Sequence, residues 1–252
     1  MTGIIKTYLN DKNYGFIKGD DGKDYFFHKN SINKYDINKI CDGALVTFEQ
    51  KASPKGYNAI NILINSSDNI NYKIPDTIYT SKNSSIKGWE TVYLSQWKVY
   101  GNSRNSPEDA KNNMINHAKA IGANCILNVE YYKTTGSEPG TGSGTHYYTI
   151  HNFKGRLANI GKKSLSGQYS LDDLSQIDQN AKILKEKLIL KTNQAKQKRL
   201  LFWIVIFFII GLSWIKNKDM AIIITMGLIF IGFILSHTTD YDSWLEKIKY
   251  DI

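Results

Sequence analysis

The residue types best suited to chemistry lie in Lys12-Asn13-Tyr14-Gly15-Phe16-Ile17 and, eight residues on, Tyr25-Phe26-Phe27-His28. Each stretch reads as a strand, and side chains two apart on a strand share a face. Tyr14 and Phe16 therefore project beside Phe26 and His28, and Gly15 is expected to leave the backbone between the first two rings uncovered. Four flat side chains on one exposed sheet face make a platform for unpaired bases. Stacking on such a platform contributes about 1–3 kcal/mol per base and tolerates any sequence. Lys6, Lys12, Lys18 and Lys29 surround the motif and are placed to meet phosphates. The competing reading is a plain core strand pair, which does not account for a His, a Gly and interleaved lysines on one small surface. This is binding chemistry. No paired carboxylates and no nucleophile with a base stand out anywhere in the chain, so no catalytic residue, cofactor site or metal site is expected, and the protein does not read as an enzyme.

The platform needs a sheet to hold it. Strands are predicted near 3–8, 14–18, 24–28, 45–50 and 57–64, with turns at Asp20-Asp21-Gly22-Lys23 and around Pro54-Lys55-Gly56. From Gly3-Ile4-Ile5-Lys6 through both aromatic stretches, then Gly43-Ala44-Leu45-Val46-Thr47-Phe48 and Lys55-Gly56-Tyr57-Asn58-Ala59-Ile60-Asn61-Ile62, the first 65 or so residues resemble the bacterial cold-shock domain. The resemblance implies an all-β, five-stranded OB-type barrel that binds single-stranded RNA and DNA. It also implies that Lys6, Tyr14, Phe16, Phe26 and His28 occupy nucleic-acid-contacting positions. Two residues depart from the family pattern: Thr7 stands where a stacking Trp is usual, and Lys29 where many members have Phe. Tyr8 follows Thr7 but should alternate to the opposite face. The platform is thus smaller than usual, which predicts weaker binding, partly offset by the extra lysine.

The chain has 252 residues and a formal net charge of +9, room for more than one domain. Charge placement is more informative than charge total. Residues 1–66 hold nine lysines against seven acidic groups, a net of +2, whereas residues 182–199 carry a net of +6. The two cysteines, Cys41 and Cys125, lie far apart and form no CxxC pair, which fits a reducing compartment. No signal peptide is expected ahead of the first strand.

Beyond the barrel, residues 67–76 are polar, Asn-rich and end near Ile74-Pro75, a predicted linker. Residues 77–160 read as a small α+β domain in the order β-α-β-β. An apolar alternation runs from Trp89 to Tyr100, and Ser106-Pro107-Glu108-Asp109 starts a helix with a cap, a proline at the first position and acids at the positive end of the dipole. The helix stops at Gly122, strands follow at 125–132 and 146–157, and Thr134 to Thr145 is expected to be a mobile hairpin loop. The run from His117 to Val129 resembles the helix-to-strand turn of a small bacterial family named for heavy-metal binding, some of whose members form ring-like oligomers. His117, Cys125, His146 and His151 are ligand types, yet their spacing matches no compact metal site.

After a second linker at 161–169, residues 170–199 form a predicted amphipathic, juxtamembrane helix. Leu174, Ile177, Ala181, Leu184 and Leu188 make a short apolar seam that either pairs copies of the chain in a homo-oligomer, together with 77–160, or packs at home. Leu200–Ile215 and Met220–Ser236 are two uncharged runs, predicted as two transmembrane helices of a hairpin over 200–236. Basic residues crowd the N-terminal side, so both the N-terminus and the 237–252 tail are expected on the cytoplasmic face of a bacterial inner membrane. The leading reading is a membrane-anchored protein that binds single-stranded nucleic acid, RNA before DNA, with the lipid bilayer as its second partner. The alternative is a membrane-anchored oligomeric scaffold whose barrel makes protein contacts.

Overall fold

A computed structural model of the chain describes residues 1–54, 56–65, 71–140, 142, 144–216, 222, 225–230, 232 and 240–248. The chain divides into two compact units, Met1–Asn180 with Glu246–Ile252, and Ala181–Leu245.

Within the first unit, β1 (Thr2–Leu9), β2 (Tyr14–Gly19), β3 (Asp24–His28), β4 (Leu45–Ser53) and β5 (Gly56–Ile64) close into a barrel in the order β1-β2-β3-β5-β4. Alternation sends Ile5, Ile17, Tyr25, Phe27, Val46, Phe48 and Ile62 inward, each at most 2% exposed. Asn13, in the left-handed region at φ 56°, turns the chain from β1 into β2, a conformation that asparagine tolerates better than most side chains. Closure comes from a parallel contact of β3 with β5, where Phe26 stands opposite Asn58. Tyr8 does turn to the inner side. It packs on the barrel core and stacks on Phe27 at 5.9 Å.

The second sheet uses β6 (Asn71–Lys73), β7 (Tyr79–Thr80), β8 (Glu90–Ser103), β9 (Cys125–Pro139) and β10 (Thr145–Ser164), with helix α1 (Pro107–Ile121) between β8 and β9. Its strand order is β11-β8-β10-β9-β7, where β11 (Leu245–Lys247) comes from the tail, and β6 pairs with the end of β10. Ser106 caps α1 by accepting the Asp109 N–H at 3.0 Å, and Gly122, at φ 88°, ends it. Ala110, Met114, Ala118 and Ile121 are buried. Gly101 lets the helix approach, because a Cβ there would lie 2.3 Å from the Met114 nitrogen.

Two expectations about loops are corrected. The stretch 134–145 is strand through Pro139, paired in register from Thr145↔Pro139 to Ile150↔Thr134. Its β-branched Thr134 and Thr135 suit a strand, and Gly136 makes room for the Tyr148 ring across the ladder. The interdomain stretches are also partly structured. Asn71–Lys73 form β6, and β10 runs to Ser164, where Asp42 of the barrel donates its N–H to Lys163 O at 3.1 Å and accepts that of Leu165 at 3.0 Å.

Helix α2 (Leu171–Ser175) follows, with a reciprocal Ser170–Asp173 capping box. Helix α3 (Ile177–Lys216) then merges the expected juxtamembrane helix and the first apolar run into 40 continuous residues. No proline and no glycine before Gly211 interrupts it. Leu174, Ile177 and Ala181 of the seam are buried within the chain. Asp178 accepts from Tyr93 Oη at 3.0 Å, Ser95 Oγ at 2.6 Å and the Gln96 N–H at 3.0 Å, which ties the start of α3 to β8.

The helical stretch of 44 residues Leu171–Trp214, most of which lies in the second unit, is long and apolar enough to cross a membrane, and only 6% of its most apolar part is buried. Leu200, Leu201, Phe207 and Phe208 are each more than 60% exposed, unlike the core helix of a water-soluble domain. Most of the second expected span, 220–236, lies outside the described residues. Residues 225–230 are helical. Trp214 Nε1 donates to Thr225 Oγ1 at 3.2 Å, and Gly232 lies against Trp203 and Ile206, so the chain returns antiparallel to α3. Of the tail, Asp242 pairs with Lys185 at 2.7 Å and accepts from Thr192 Oγ1 at 2.9 Å.

Candidate nucleic-acid interface

The antiparallel register of β2 and β3 sets Tyr14 opposite His28 and Phe16 opposite Phe26. Alternation leaves these four on the outer face while Ile17, Tyr25 and Phe27 fill the barrel. Phe16 and Phe26 are each 37% exposed, and Ile17 and Tyr25 beside them are fully buried. The rings form one contiguous cluster. Tyr14 lies 5.4 Å from Phe26 and 6.1 Å from Phe16, and Phe16 lies 5.9 Å from Phe26. His28 accepts the Asn30 N–H on Nδ1 at 3.3 Å, which fixes the ring at the end of β3 and leaves Nε2 to carry the proton of the neutral imidazole.

Gly15 plays a different part from the one expected. It is buried, and its missing Cβ would lie 2.5 Å from Thr7 O and 2.6 Å from the Phe27 ring. The period of two already sends position 15 inward, so the glycine serves the packing of the barrel rather than the openness of the platform. Thr7 stands opposite Phe16 on β1 and extends the same face with a hydroxyl in place of a ring.

The lysines are not equivalent. Lys12 lies over the Tyr14 ring at 5.8 Å, at the edge of the platform. Lys6 and Lys18 share Asp24, at 3.2 and 3.8 Å, and both pairs are exposed, where such contacts contribute little and yield to a stronger anion. Lys29 follows His28 directly, and its N–H bonds Asn13 O at 2.8 Å. Two further exposed rings escaped the sequence reading. Tyr35, in a 3-10 turn after β3, is 92% exposed, and Tyr57 on β5 is covered by Lys23 at 5.0 Å. Tyr35 sits among Asn, Lys and Asp with no strand periodicity to single it out.

The ligand-type residues of the second sheet are dispersed. His117 Nδ1 lies 2.7 Å from Tyr100 O, and burial holds its pKa below the usual histidine value. Cys125 is buried, which pushes its thiol up to about 12. His151 meets Tyr131 Oη at 2.7 Å, and His146 lies 3.4 Å from Glu138. Among the described residues no three His, Cys, Asp or Glu side chains are grouped to hold a metal ion.

Residues 1–64 match the family described as the 'Cold-shock' DNA-binding domain. Cold shock protein 1 of Lactiplantibacillus plantarum is 38% identical over 61 residues, covering 24% of this chain and 92% of that protein. The cold shock-like protein CspB of Escherichia coli (strain K12) is 38% identical over 65 residues, or 25% of this chain and 92% of the relative. The cold shock-like protein CspA of Shewanella violacea is 36% identical over 63 residues, or 25% and 90%. The family match covers the barrel, and each of these relatives aligns with about a quarter of the chain.

Proposed function

Through its first 64 residues the chain belongs to the cold-shock domain family, and on that premise we propose that it binds single-stranded nucleic acid, RNA before DNA, while anchored in a bacterial inner membrane. The observation that carries the binding is the exposed cluster of Tyr14, Phe16 and Phe26, with His28 opposite Tyr14 at its end. Bases stack on those rings and Lys6, Lys12 and Lys29 meet the phosphates, with no covalent step. Anchoring is supported by the exposed apolar half of α3 and the antiparallel return of the chain beside it. The net charge of +6 over 182–199 favours a cytoplasmic N-terminal side, and a chain that leaves the first unit at Asn180 and rejoins it at Glu246 favours the same side for both ends. Assembly of copies through 77–160 belongs to the same proposal, since several linked sites raise a weak single-site affinity.

Fluorescence anisotropy with labelled RNA and DNA of one sequence, against the full chain in detergent and over a salt series, tests the binding. Affinity that falls with salt and drops in both Phe16→Ala and His28→Ala supports it. No binding up to high micromolar by a folded chain removes it and favours the scaffold reading. Retention of the protein in membranes after alkaline extraction, with tags at both ends accessible only from the cytoplasmic side, tests the anchoring.

A further inference from the structure

A cleft of about 600 Å³ opens between the barrel and the second sheet, inside the first unit, and of the residues that line it only Lys29 takes part in the proposed binding of single strands. Its volume lies in the range of about 300–1,000 Å³ common for ligand sites. The barrel contributes Tyr8, Asn10 and Lys29, and the other side contributes Lys87, Trp89 and Lys162.

The charges in the cleft are unevenly used. Four lysines line it (29, 87, 162 and 163) against Asp11, Asp42 and Glu90. Glu90 is 3.7 Å from Lys163, and the Asp42 carboxylate accepts the Tyr8 N–H at 3.0 Å. Lys162 lies over the Trp89 ring at 5.0 Å. Lys29 and Lys87 have no ion-pair partner among the described residues. The wall thus presents two uncommitted cations, an indole, a phenol whose hydroxyl has no hydrogen-bond partner among the described residues, and the amide of Asn10. Cations beside flat rings and amides suit a nucleotide, with its phosphate, base face and base edge.

The cleft is also continuous with the platform. Lys29 is the residue after His28, and the hydrogen bond from its N–H to Asn13 O joins the end of β3 to the β1–β2 turn. Asn10 and Asp11 of that turn line the cleft, while Lys12 and Tyr14 stand at the platform.

We infer that a single strand crossing the platform continues past His28 into this cleft, so that Lys29 and Lys87 bind its backbone and the second sheet forms part of one extended nucleic-acid site. This inference rests on the proposed function.

The test measures anisotropy of labelled oligouridylates of about 5 and about 12 nucleotides, lengths within the range bound per OB barrel, against the full chain in detergent. The wild-type chain should bind the longer strand more tightly. Lys87→Glu, at an exposed position, should weaken the longer strand fivefold or more and leave the shorter unchanged. It should also make the slope of log K against log salt shallower by about 0.7, the value for one single-strand phosphate contact. Lys133→Glu, an exposed charge reversal on β9 away from the cleft, should change neither strand. A Lys87→Glu chain that melts like wild type and binds both lengths with wild-type affinity overturns the inference, as does equal weakening by Lys133→Glu. Binding of both lengths that responds to Phe16→Ala but not to Lys87→Glu removes the cleft alone. Failure of the wild-type chain to bind either strand removes the cleft and the proposed function together.

Discussion

Phe16 and Phe26 face each other across the β2–β3 ladder with ring centroids 5.9 Å apart and planes at 72°, and both remain 37% exposed. An edge-to-face pair holds its own geometry without a core around it. The rings are therefore set before any ligand arrives, and little ordering is needed when a base stacks on them.

Truncation at either ring should separate binding from stability. Phe16→Ala or Phe26→Ala is expected to weaken single-strand binding by about 1–3 kcal/mol per lost stack. Because each ring is partly exposed, the loss in folding stability should stay below that of a buried Phe→Ala change, about 3–5 kcal/mol. Anisotropy titrations alongside urea unfolding of the same variants check this.

Gly15 should behave in the opposite way. Gly15→Val puts a branched side chain where a Cβ would already lie 2.5 Å from Thr7 O. Overpacking of this kind costs about 1–3 kcal/mol or more. The urea midpoint should fall, and binding per folded molecule should change far less than in Phe16→Ala.

His117 makes the first unit sensitive to acid. Its folded pKa lies below the ordinary histidine value of about 6.5 because burial disfavours the imidazolium. The unfolded chain then takes up the proton first, and stability is lost as the pH falls below about 6.5 toward the folded value. Thermal melts at pH 7.5 and 5.5 should show a loss for wild type. His117→Gln, which cannot titrate there, should show a smaller pH-dependent loss whatever its stability at pH 7.5.

Asp178 should carry the junction between α3 and β8. Asp178→Ala deprives Tyr93, Ser95 and the Gln96 N–H of their shared acceptor, and Ser95 is fully buried. A buried donor left unsatisfied costs about 1–3 kcal/mol. Hydrogen exchange at Gln96 should speed up markedly more than exchange in the barrel strands.

What could be read in the sequence followed the reach of each signal. Period-two alternation located all five barrel strands and the four platform residues, because the pattern is local and the barrel core demands it. The same rule, applied to position 15, would have placed Gly15 inward. Thr134 to Thr145 looked like a loop from its Gly, Ser and Thr content, yet its pairing with 145–150 lies across the ladder and leaves no local trace. The sharing of Asp24 by Lys6 and Lys18 depends on which strands become neighbours, as does the cleft, whose walls come from three segments at least 40 residues apart. The unbroken α3 follows from the absence of proline on either side of Arg199. The change from basic to apolar there is a change of side chains and not of backbone.

The tail strand β11 carries a consequence in time. It pairs with part of the outer edge of β8, yet it lies about 140 residues further along the chain. At synthesis rates of about 5–20 residues per second, that edge waits on the order of 7–30 s for its partner. During the interval a 14-residue strand presents open N–H and C=O groups, a template for mispairing with neighbouring nascent chains. The sheet reaches its final form only after the apolar helix has left the ribosome, so its completion acts as a clock for the making of everything between.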